Sequence, residues 1–401
     1  MFYVKMKSDS AMAENKEGNI CYQLKYNGEV IEHSTTYSIF PKELEQILGD
    51  GNADATSQRA HYINILKQAI LHDKELIIAI MHNAASMQQP HTARHIIEEF
   101  LRQSNRDSLF LYMQRTTARY RSIGRMRSAE ICATALNSFR RFRYGIDVPL
   151  TSLDSTMLEA YEYHLRRQQL SPNTISFYMK QLRVIYNRAV EEGLVTDSRP
   201  FSHVFTSIEK TTKRAIAIEA IRDIKKMELK QHPSRQFARD MFLFSFYTRG
   251  MSFVDIAHLR KSNLKDGILS YRRKKTGQQL VIRWEPCMQT ILSRYAAHPS
   301  SPYLFSIIKD PCNNPRQQYQ NAMFLINRHL KEIGRTLGLD IPLTMYVARH
   351  SWASIARDKG IPISVISEGM GHDSEKTTRI YLASLKTEVV DKANRRIINL
   401  L

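Results

Sequence analysis

The stretch that most constrains this chain lies near its C-terminal end. It begins with Arg349-His350, continues through Gly371-His372 and ends at Tyr381, on segments predicted to be short helices. Arginine can hold two oxygens of a phosphodiester, histidine can donate a hydrogen bond to one of them, and tyrosine can attack the phosphorus. Each residue alone also has a structural interpretation, as an ion-paired arginine, a histidine at a helix C-terminus or a buried tyrosine. In this order, they indicate phosphodiester chemistry.

The order and spacing of these residues resemble the tyrosine recombinase (phage integrase) family, whose members carry H-x-x-R-H, a Leu-Gly-His turn and then a nucleophilic tyrosine. His372 and Tyr381 keep the family's separation of nine residues, with Thr377 and Thr378 between them. The resemblance extends over most of the chain. Within the family, the chain resembles tyrosine recombinases of the type found in Bacteroidetes mobile elements. This resemblance implies a site-specific recombinase that cleaves and rejoins duplex DNA through a 3′-phosphotyrosine at Tyr381.

The same resemblance implies a mainly α-helical fold with small β-sheets. The expected parts are an arm-type DNA-binding β module at 1–56, a helical connector at 57–101, a helical SAM-like core-binding domain at 102–196, a linker at 197–213 and a mixed α/β catalytic domain at 214–401.

The charge of the chain favours a polyanionic partner. Lys and Arg number 58 against 39 Asp and Glu, a formal net charge of +19, so double-stranded DNA is the expected partner and a generally basic protein is the alternative. No apolar run reaches the roughly 18 residues of a membrane span, and no signal peptide is recognisable. The four cysteines lack metal-ligand spacing and fit a reducing compartment. We therefore expect a cytoplasmic protein without membrane contact or a metal.

The N-terminal residues predict a small sheet. Residues 1–18 are polar and expected to be loose, whereas 19–40 alternate in strand fashion around Asn27-Gly28, a strong hairpin signal. This module resembles the arm-type domain of integrases, although a β cap without DNA contact is the alternative. The helical stretch that follows is broken at Gln88-Gln89-Pro90.

Residues 101–148 contain ten arginines, no lysine and three acids. One helix is predicted to begin at Ser128, and two more span Thr156 to Gln168 and Asn173 to Glu192, the last after a Ser-Pro start signal. Basic residues here are expected to contact phosphates, which positions a protein without reading sequence; a solvated basic face is the alternative. The candidate DNA-binding residues are Arg119, Arg121, Arg125, Arg127, Lys180 and Arg183.

One family arginine is missing from its usual position. Aligning Gly250-Met251 with the family's Gly-Leu-Arg places Ser252 where the first catalytic arginine stands. Arg249 lies three residues earlier, and residues three apart at a helix start can share a face. We therefore expect Arg249 to supply the missing guanidinium.

Two further candidates complete the expected site. A predicted hairpin at 267–282 carries Lys275, which resembles the family's general acid for the departing 5′ oxygen, with Lys274 as competitor. Tyr346 occupies the position of the first histidine in H-x-x-R. A tyrosine is a poor base at neutral pH but can hydrogen-bond a phosphate oxygen, so the general base for Tyr381 stays open.

The resemblance implies chemistry without a cofactor, and a homotetramer on paired DNA sites, with room for an accessory DNA-bending protein. The tail 389–401 is expected to join protomers. A relaxing topoisomerase of the same chemistry is one rival, and a regulatory or architectural DNA-binding protein with a decayed site is another. Integration or excision of a mobile element and inversion of a DNA segment both stay open.

Overall fold

The computed structural model describes residues 1–6, 16–49, 57–86, 92–209, 214–372, 374–382 and Ile398, and for residues 380 and 381 it describes the backbone alone. The chain divides into two compact units, Met1–Lys210 and Thr211–Leu401. Each unit combines helices with one three-stranded antiparallel sheet, which confirms the predicted fold class. Within the described ranges, no helix is long and apolar enough to cross a membrane.

The first unit begins with a sheet in the order β1-β2-β3, formed by Phe2–Met6, Gly18–Tyr26 and Glu29–Ile39. Asn27 and Gly28 link β2 to β3 with φ angles of 49° and 84°, the left-handed pair that a two-residue hairpin requires, so the predicted hairpin is confirmed. Strand β1 was not predicted, because residues 1–18 were expected to be loose. Phe2 and Val4 pack against the core below the sheet, and this burial stabilises the short strand.

Among the described residues, three α-helices complete the N-terminal module: α1 at Leu44–Leu48, α2 at Gln58–Ser86 and α3 at Ala93–Asp107. Leu66 and Ile77 of α2 share one hydrophobic cluster with Leu24 of the sheet and Phe100 of α3. Residues of the predicted connector at 57–101 therefore pack in the same core as the sheet. Its expected break at 88–90 lies outside the described residues.

The helices of the predicted core-binding domain are α4 at Leu109–Ser122, α5 at Met126–Phe142, α6 at Ser155–Arg167 and α7 at Pro172–Glu191. The side chains of Asp154 and Ser171 cap α6 and α7 by accepting backbone N–H bonds, as residues of this type do at helix starts. Phe201 and Val204 are buried in the same cluster as these helices. The predicted linker at 197–213 therefore begins with residues that pack into the core-binding domain.

The second unit is built around one strongly buried helix, α9 at Pro233–Tyr247, which contributes Met241, Phe242 and Phe244 to its core. The predicted hairpin is present as β5 at Ile268–Arg272 and β6 at Gln279–Arg283. The helices are α8 at Ile218–Lys226, α9 at Pro233–Tyr247, α10 at Phe253–Ala257, α11 at Pro286–Tyr295, α12 at Pro315–Thr336, α13 at Met345–Asp358, α14 at Ile363–Met370 and α15 at Glu375–Tyr381. The strands are β4 at Leu264–Lys265, β5 at Ile268–Arg272 and β6 at Gln279–Arg283. The tail 389–401, apart from Ile398, lies outside the described residues.

Candidate active site

Arg349 lies on α13 with only 5% of its surface exposed. Its Nη1 donates to the carbonyl of Gly250 at 2.8 Å, and its Nη2 donates to the carbonyl of Met370 at 2.7 Å. A Cβ on Gly250, whose φ is 75°, would lie 2.7 Å from the Cα of Arg349. The loop after α9 can therefore approach α13 this closely only with glycine at position 250.

His372 is held between Arg349 and Thr378. Nη2 of Arg349 lies 2.9 Å from Nε2 of His372, and Nδ1 of the same ring lies 2.8 Å from the hydroxyl of Thr378. Because a guanidinium can only donate, Nε2 accepts and the ring proton sits on Nδ1, where it is donated to Thr378. Burial, with the charges of Arg349, Arg273 and Lys275, lowers the pKa of His372 to about 4. The imidazole is therefore neutral at pH 7, and in this arrangement it donates to Thr378 and not to a phosphate.

Helix α15 carries both Thr378 and Tyr381. Ser374 caps its first turn by accepting from the backbone N–H of Thr377, and Thr378 is fully buried. Leu382, directly after the helix, packs in a cluster with Ala353, Ile366 and Met370. The backbone of Tyr381 is thus fixed from both sides, whereas its side chain lies outside the described part of the chain.

The turn between β5 and β6 places Lys275 at the surface and Arg273 in the interior. Arg273 is 7% exposed and donates from Nη1 to the carbonyl of Gly371, next to His372. The backbone N–H of Lys274 donates to the carboxylate of Asp255 at 2.8 Å, which anchors the turn.

Sequence reasoning missed Arg273, although a signal was present. Leu269 and Tyr271 alternate with exposed positions along β5, and the same period of two places Arg273 on their buried face. Lys275, two residues further, is exposed because the chain has already left the strand.

The expected geometry of Arg249 was wrong. Arg249 does not stand at a helix start; it follows α9 in a loop, with a left-handed φ of 60°. Its Cδ lies 3.6 Å from the position that a Cβ on Gly369 would take, so the half-buried side chain lies against α14. The hydroxyl of Ser252, in the position of the missing arginine, donates to Asp255 at 2.5 Å.

Tyr346 lies on the first turn of α13 and is 51% exposed. Its ring meets that of His350 edge-on, with centroids 4.5 Å apart. His350 is buried at 7% exposure. Tyr346 therefore presents a phenol at the surface, outside the buried series formed by Arg349, His372 and Thr378.

The candidate DNA-binding residues lie on α4, α5 and α7, except Arg125, which directly precedes α5. The four arginines are exposed, and two of them have surface acids nearby, Glu192 at 3.9 Å from Arg119 and Glu130 at 3.2 Å from Arg127. Such exposed pairs are weak and leave the cations available to phosphate. Lys180 and Arg183 are half-buried on α7, and Arg183 donates to the hydroxyl of Thr206 at 3.3 Å. No group of three or more His, Cys, Asp or Glu side chains with metal-binding proximity occurs among the described residues.

The chain matches two family models. The phage integrase SAM-like domain corresponds to residues 108–208, and the phage integrase family corresponds to residues 218–388. The tyrosine recombinase XerA of Pyrococcus furiosus is 26% identical over 237 residues, covering 57% of this chain and 77% of that protein. The tyrosine recombinase XerD of Halalkalibacterium halodurans is 25% identical over 248 residues, covering 58% and 77%.

The fold is similar to that of a lambda integrase tetramer bound to a Holliday junction, with a TM-score of 0.52 and 15% identity over 93% of this chain and 96% of that one. The family matches and the helical fold define an enzyme of DNA strand transesterification. The chain belongs to the phage integrase family of tyrosine recombinases, and it is a site-specific recombinase.

Proposed function

We propose that this recombinase cleaves duplex DNA by attack of Tyr381 on a backbone phosphorus, leaving a 3′-phosphotyrosine link. The observation that carries the proposal is the hydrogen-bonded series from Arg349 through His372 to Thr378. It ends on the helix whose last residue is Tyr381. The backbone of the proposed nucleophile thus lies on the same short helix as the hydroxyl that accepts the imidazole proton.

Cations supply the stabilisation of the transition state, where negative charge grows on the phosphoryl oxygens. Arg349 is the first of them, and Arg273 is the best placed to replace the arginine missing at Ser252. Arg273 donates to Gly371, beside His372, and its charge contributes to the low pKa of that histidine. Arg249 is the alternative. Burial raises the pKa of Tyr271, and the positive charges of Arg349, Arg273 and Arg249 all lower it. All three guanidinium groups therefore act on the surroundings of Tyr271.

Lys275 is proposed as the general acid. The phenol oxygen of Tyr381 bonds to phosphorus, the bond from phosphorus to the 5′ oxygen breaks, and that oxygen takes a proton from Lys275. An exposed turn lysine can reach a substrate that lies on the surface, and such proton transfer accelerates reactions by roughly 10²–10⁴-fold. The proton of Tyr381 is proposed to leave to solvent, since cations gathered at the reacting phosphate would favour the phenolate. Tyr346 is proposed to hydrogen-bond a phosphate oxygen.

The proposed substrate is a pair of double-stranded DNA sites held by a homotetramer. The exposed arginines of α4 and α5 support contact with DNA phosphates, and the similar lambda integrase was solved as a tetramer on a Holliday junction. Integration and excision of a mobile element of the Bacteroidetes type, or inversion of a DNA segment, are the proposed outcomes. An accessory DNA-bending protein is a proposed further partner, and the cytoplasm is the proposed location.

The test is covalent trapping on a nicked suicide duplex taken from the DNA that flanks the gene. Wild type and Tyr381→Phe are run side by side on a denaturing gel, with a gel-shift assay as the control for binding. A covalent band that is lost in Tyr381→Phe, while the gel shift is kept, supports the proposed nucleophile. An equal covalent band in both proteins refutes it, and tight binding without any covalent band on cognate DNA favours a decayed site.

A further inference from the structure

A serine interrupts an apolar face of α13, the helix that carries Arg349. Val347 and Ala348, one turn before this serine, belong to the core cluster of the second unit, and Ile355, one turn after it, packs against the same cluster. Ser351 lies between them with none of its surface exposed. A buried hydroxyl costs free energy unless it has a hydrogen-bond partner, so the partner of Ser351 indicates its role.

That partner is the start of the second unit. The hydroxyl of Ser351 accepts the backbone N–H of Ile216 at 3.0 Å, and the two residues are 135 positions apart in the chain. The side chain of Ile216 packs against the same core cluster. The first unit ends at Lys210 and α8 begins at Ile218, so residues 214–217 form the entry segment of the second unit. Ser351 therefore fixes the entry segment to α13.

Arg349 occupies the other side of α13. Two residues along an α-helix are about 200° apart around its axis, so Arg349 and Ser351 project to nearly opposite sides. On the first side, Nη1 of Arg349 donates to the carbonyl of Gly250 at 2.8 Å, and a Cβ on Gly250 would lie 2.7 Å from the Cα of Arg349. Helix α13 is thus held between the loop at Gly250 and the entry segment, and release of one contact allows the helix to shift at the other.

We infer that Ser351 is a positioning residue for DNA cleavage, which ties the entry segment to α13 and thereby keeps Arg349 in place. The inference rests on the proposed function, in which Arg349 stabilises negative charge on the phosphoryl oxygens. The fully buried hydroxyl of Ser351 takes no direct part in the chemistry. Its effect is on geometry, and a displacement of about 1 Å in a catalytic group can cost roughly 10²-fold in rate.

Helix α13 offers a matched control three residues further on. Ser354 is 5% exposed, and its hydroxyl is buried without a hydrogen-bond partner among the described residues. Ser351→Ala and Ser354→Ala remove the same atom from the same helix at similar burial, but only the first releases the N–H of Ile216. A difference between the two variants therefore reports on this hydrogen bond and not on the loss of a buried oxygen.

The experiment measures single-turnover covalent cleavage of the nicked suicide duplex by the full chain at saturating DNA, together with gel-shift affinity for the same duplex. We expect Ser351→Ala to cleave at least about tenfold more slowly than wild type with unchanged DNA affinity, and Ser354→Ala to keep both the rate and the affinity. If Ser351→Ala does not fold, Ser351→Cys replaces it, because a thiol is a weaker acceptor of similar size. A wild-type rate in Ser351→Cys would then overturn the inference.

A second substrate separates positioning from a general disturbance of the fold. Replacing one non-bridging oxygen of the cleaved phosphate by a methyl group gives a methylphosphonate, which lacks the negative charge that Arg349 is proposed to stabilise. If Ser351 acts through Arg349, the loss of rate in Ser351→Ala relative to wild type should be severalfold smaller on the methylphosphonate. A loss of the same size on both substrates overturns the inference.

Failure of this inference is distinguishable from failure of the proposed function. Covalent cleavage at the wild-type rate in both Ser351→Ala and Ser354→Ala overturns the role of Ser351 and leaves the proposed function intact. Absence of a covalent link in wild type on cognate DNA overturns both. An equal loss of rate in the two serine variants also overturns the inference, because the hydrogen bond to Ile216 is then not the cause.

Discussion

Nε2 of His372 accepts a hydrogen bond from Nη2 of Arg349 over 2.9 Å. This contact places the imidazole proton on Nδ1, from which it is donated to Thr378. An arginine that is buried and already bonded to two carbonyls thereby sets the tautomer of His372. The three side chains form one hydrogen-bonded series, which ends on the buried hydroxyl of Thr378.

Thr378→Val should slow covalent cleavage. Valine keeps the shape of threonine and removes the acceptor for the Nδ1 proton, so His372 loses its fixed tautomer and orientation. We expect at least about a tenfold loss of rate, which corresponds to ~1.4 kcal/mol of transition-state stabilisation, and unchanged DNA affinity. The rate of covalent trapping measures cleavage, and gel-shift assays measure the DNA affinity.

The controls for Thr378 come from the same helix. Thr378→Ser keeps a hydroxyl and should restore much of the rate. Thr377→Val removes a hydroxyl whose hydrogen bond, among the described residues, is to Ser374, and it should leave the rate near wild type. An equal loss in Thr377→Val and Thr378→Val would show that the effect comes from instability of α15 and not from His372.

The sequence predicted those parts of the fold whose signals are local. Asn27-Gly28 predicted the first hairpin, and Ser171-Pro172 predicted the start of α7, because turn and capping geometry depend on neighbouring residues. Strand β1 was missed because its stability comes from Phe2 packing on residues far along the chain. The packing of Phe201 into the core-binding domain was missed for the same reason.

The same distinction applies to the site. Arg349, His372 and Tyr381 could be picked out by their order, since the family motif is a pattern along the chain. The hydrogen bonds of Arg349 could not be predicted from the sequence, because they go to backbone carbonyls, which every residue supplies. Arg273 could have been found by following the alternation of β5 one residue beyond the strand.

Stability should depend on pH through His372. Its pKa is about 4 in the folded protein and near 6.5 in an unfolded chain, so the unfolded state binds the proton first as pH falls. The free energy of unfolding should therefore decrease as pH drops from about 6.5 to about 4, and no such contribution should remain above that window. Urea unfolding at pH 7.5 and at pH 5 measures this decrease in the free energy of unfolding.

His372→Gln is the comparison for this pH effect, because glutamine keeps hydrogen-bonding groups and cannot titrate. The variant should lose less stability between pH 7.5 and pH 5 than wild type does. His258, in the same unit, also has a pKa lowered by burial, so a part of the decrease should persist. Identical pH dependence in wild type and His372→Gln would contradict the low pKa.

Arg273→Met should reduce cleavage much more than Arg272→Met. Arg273 is buried, and it directly follows Arg272, which is exposed at the end of β5. Loss of one preorganised donor to the reacting oxygens costs roughly 10²–10³-fold in rate, whereas loss of Arg272 should have little effect. Single-turnover cleavage measures both variants, and DNA affinity is the control.

Arg249→Met separates the two candidates for the missing arginine. If Arg273 fills that role, Arg249→Met should retain most of the activity. If cleavage is lost in Arg249→Met and kept in Arg273→Met, the roles proposed for the two arginines are reversed.

Gly250→Ala should strongly destabilise the second unit. The new Cβ would lie 2.7 Å from the Cα of Arg349, and φ at this position is 75°, so α13 has to move away from the loop. Gly338 provides the control, because its φ of 63° is similar and nothing lies within 4 Å of its Cβ position. Gly338→Ala should cost about 1–2 kcal/mol of unfolding free energy from the backbone alone, and Gly250→Ala should cost a further 1–3 kcal/mol or so for the clash. Denaturant unfolding of the two variants measures the difference, and equal losses would show that the close approach of Gly250 to Arg349 is dispensable.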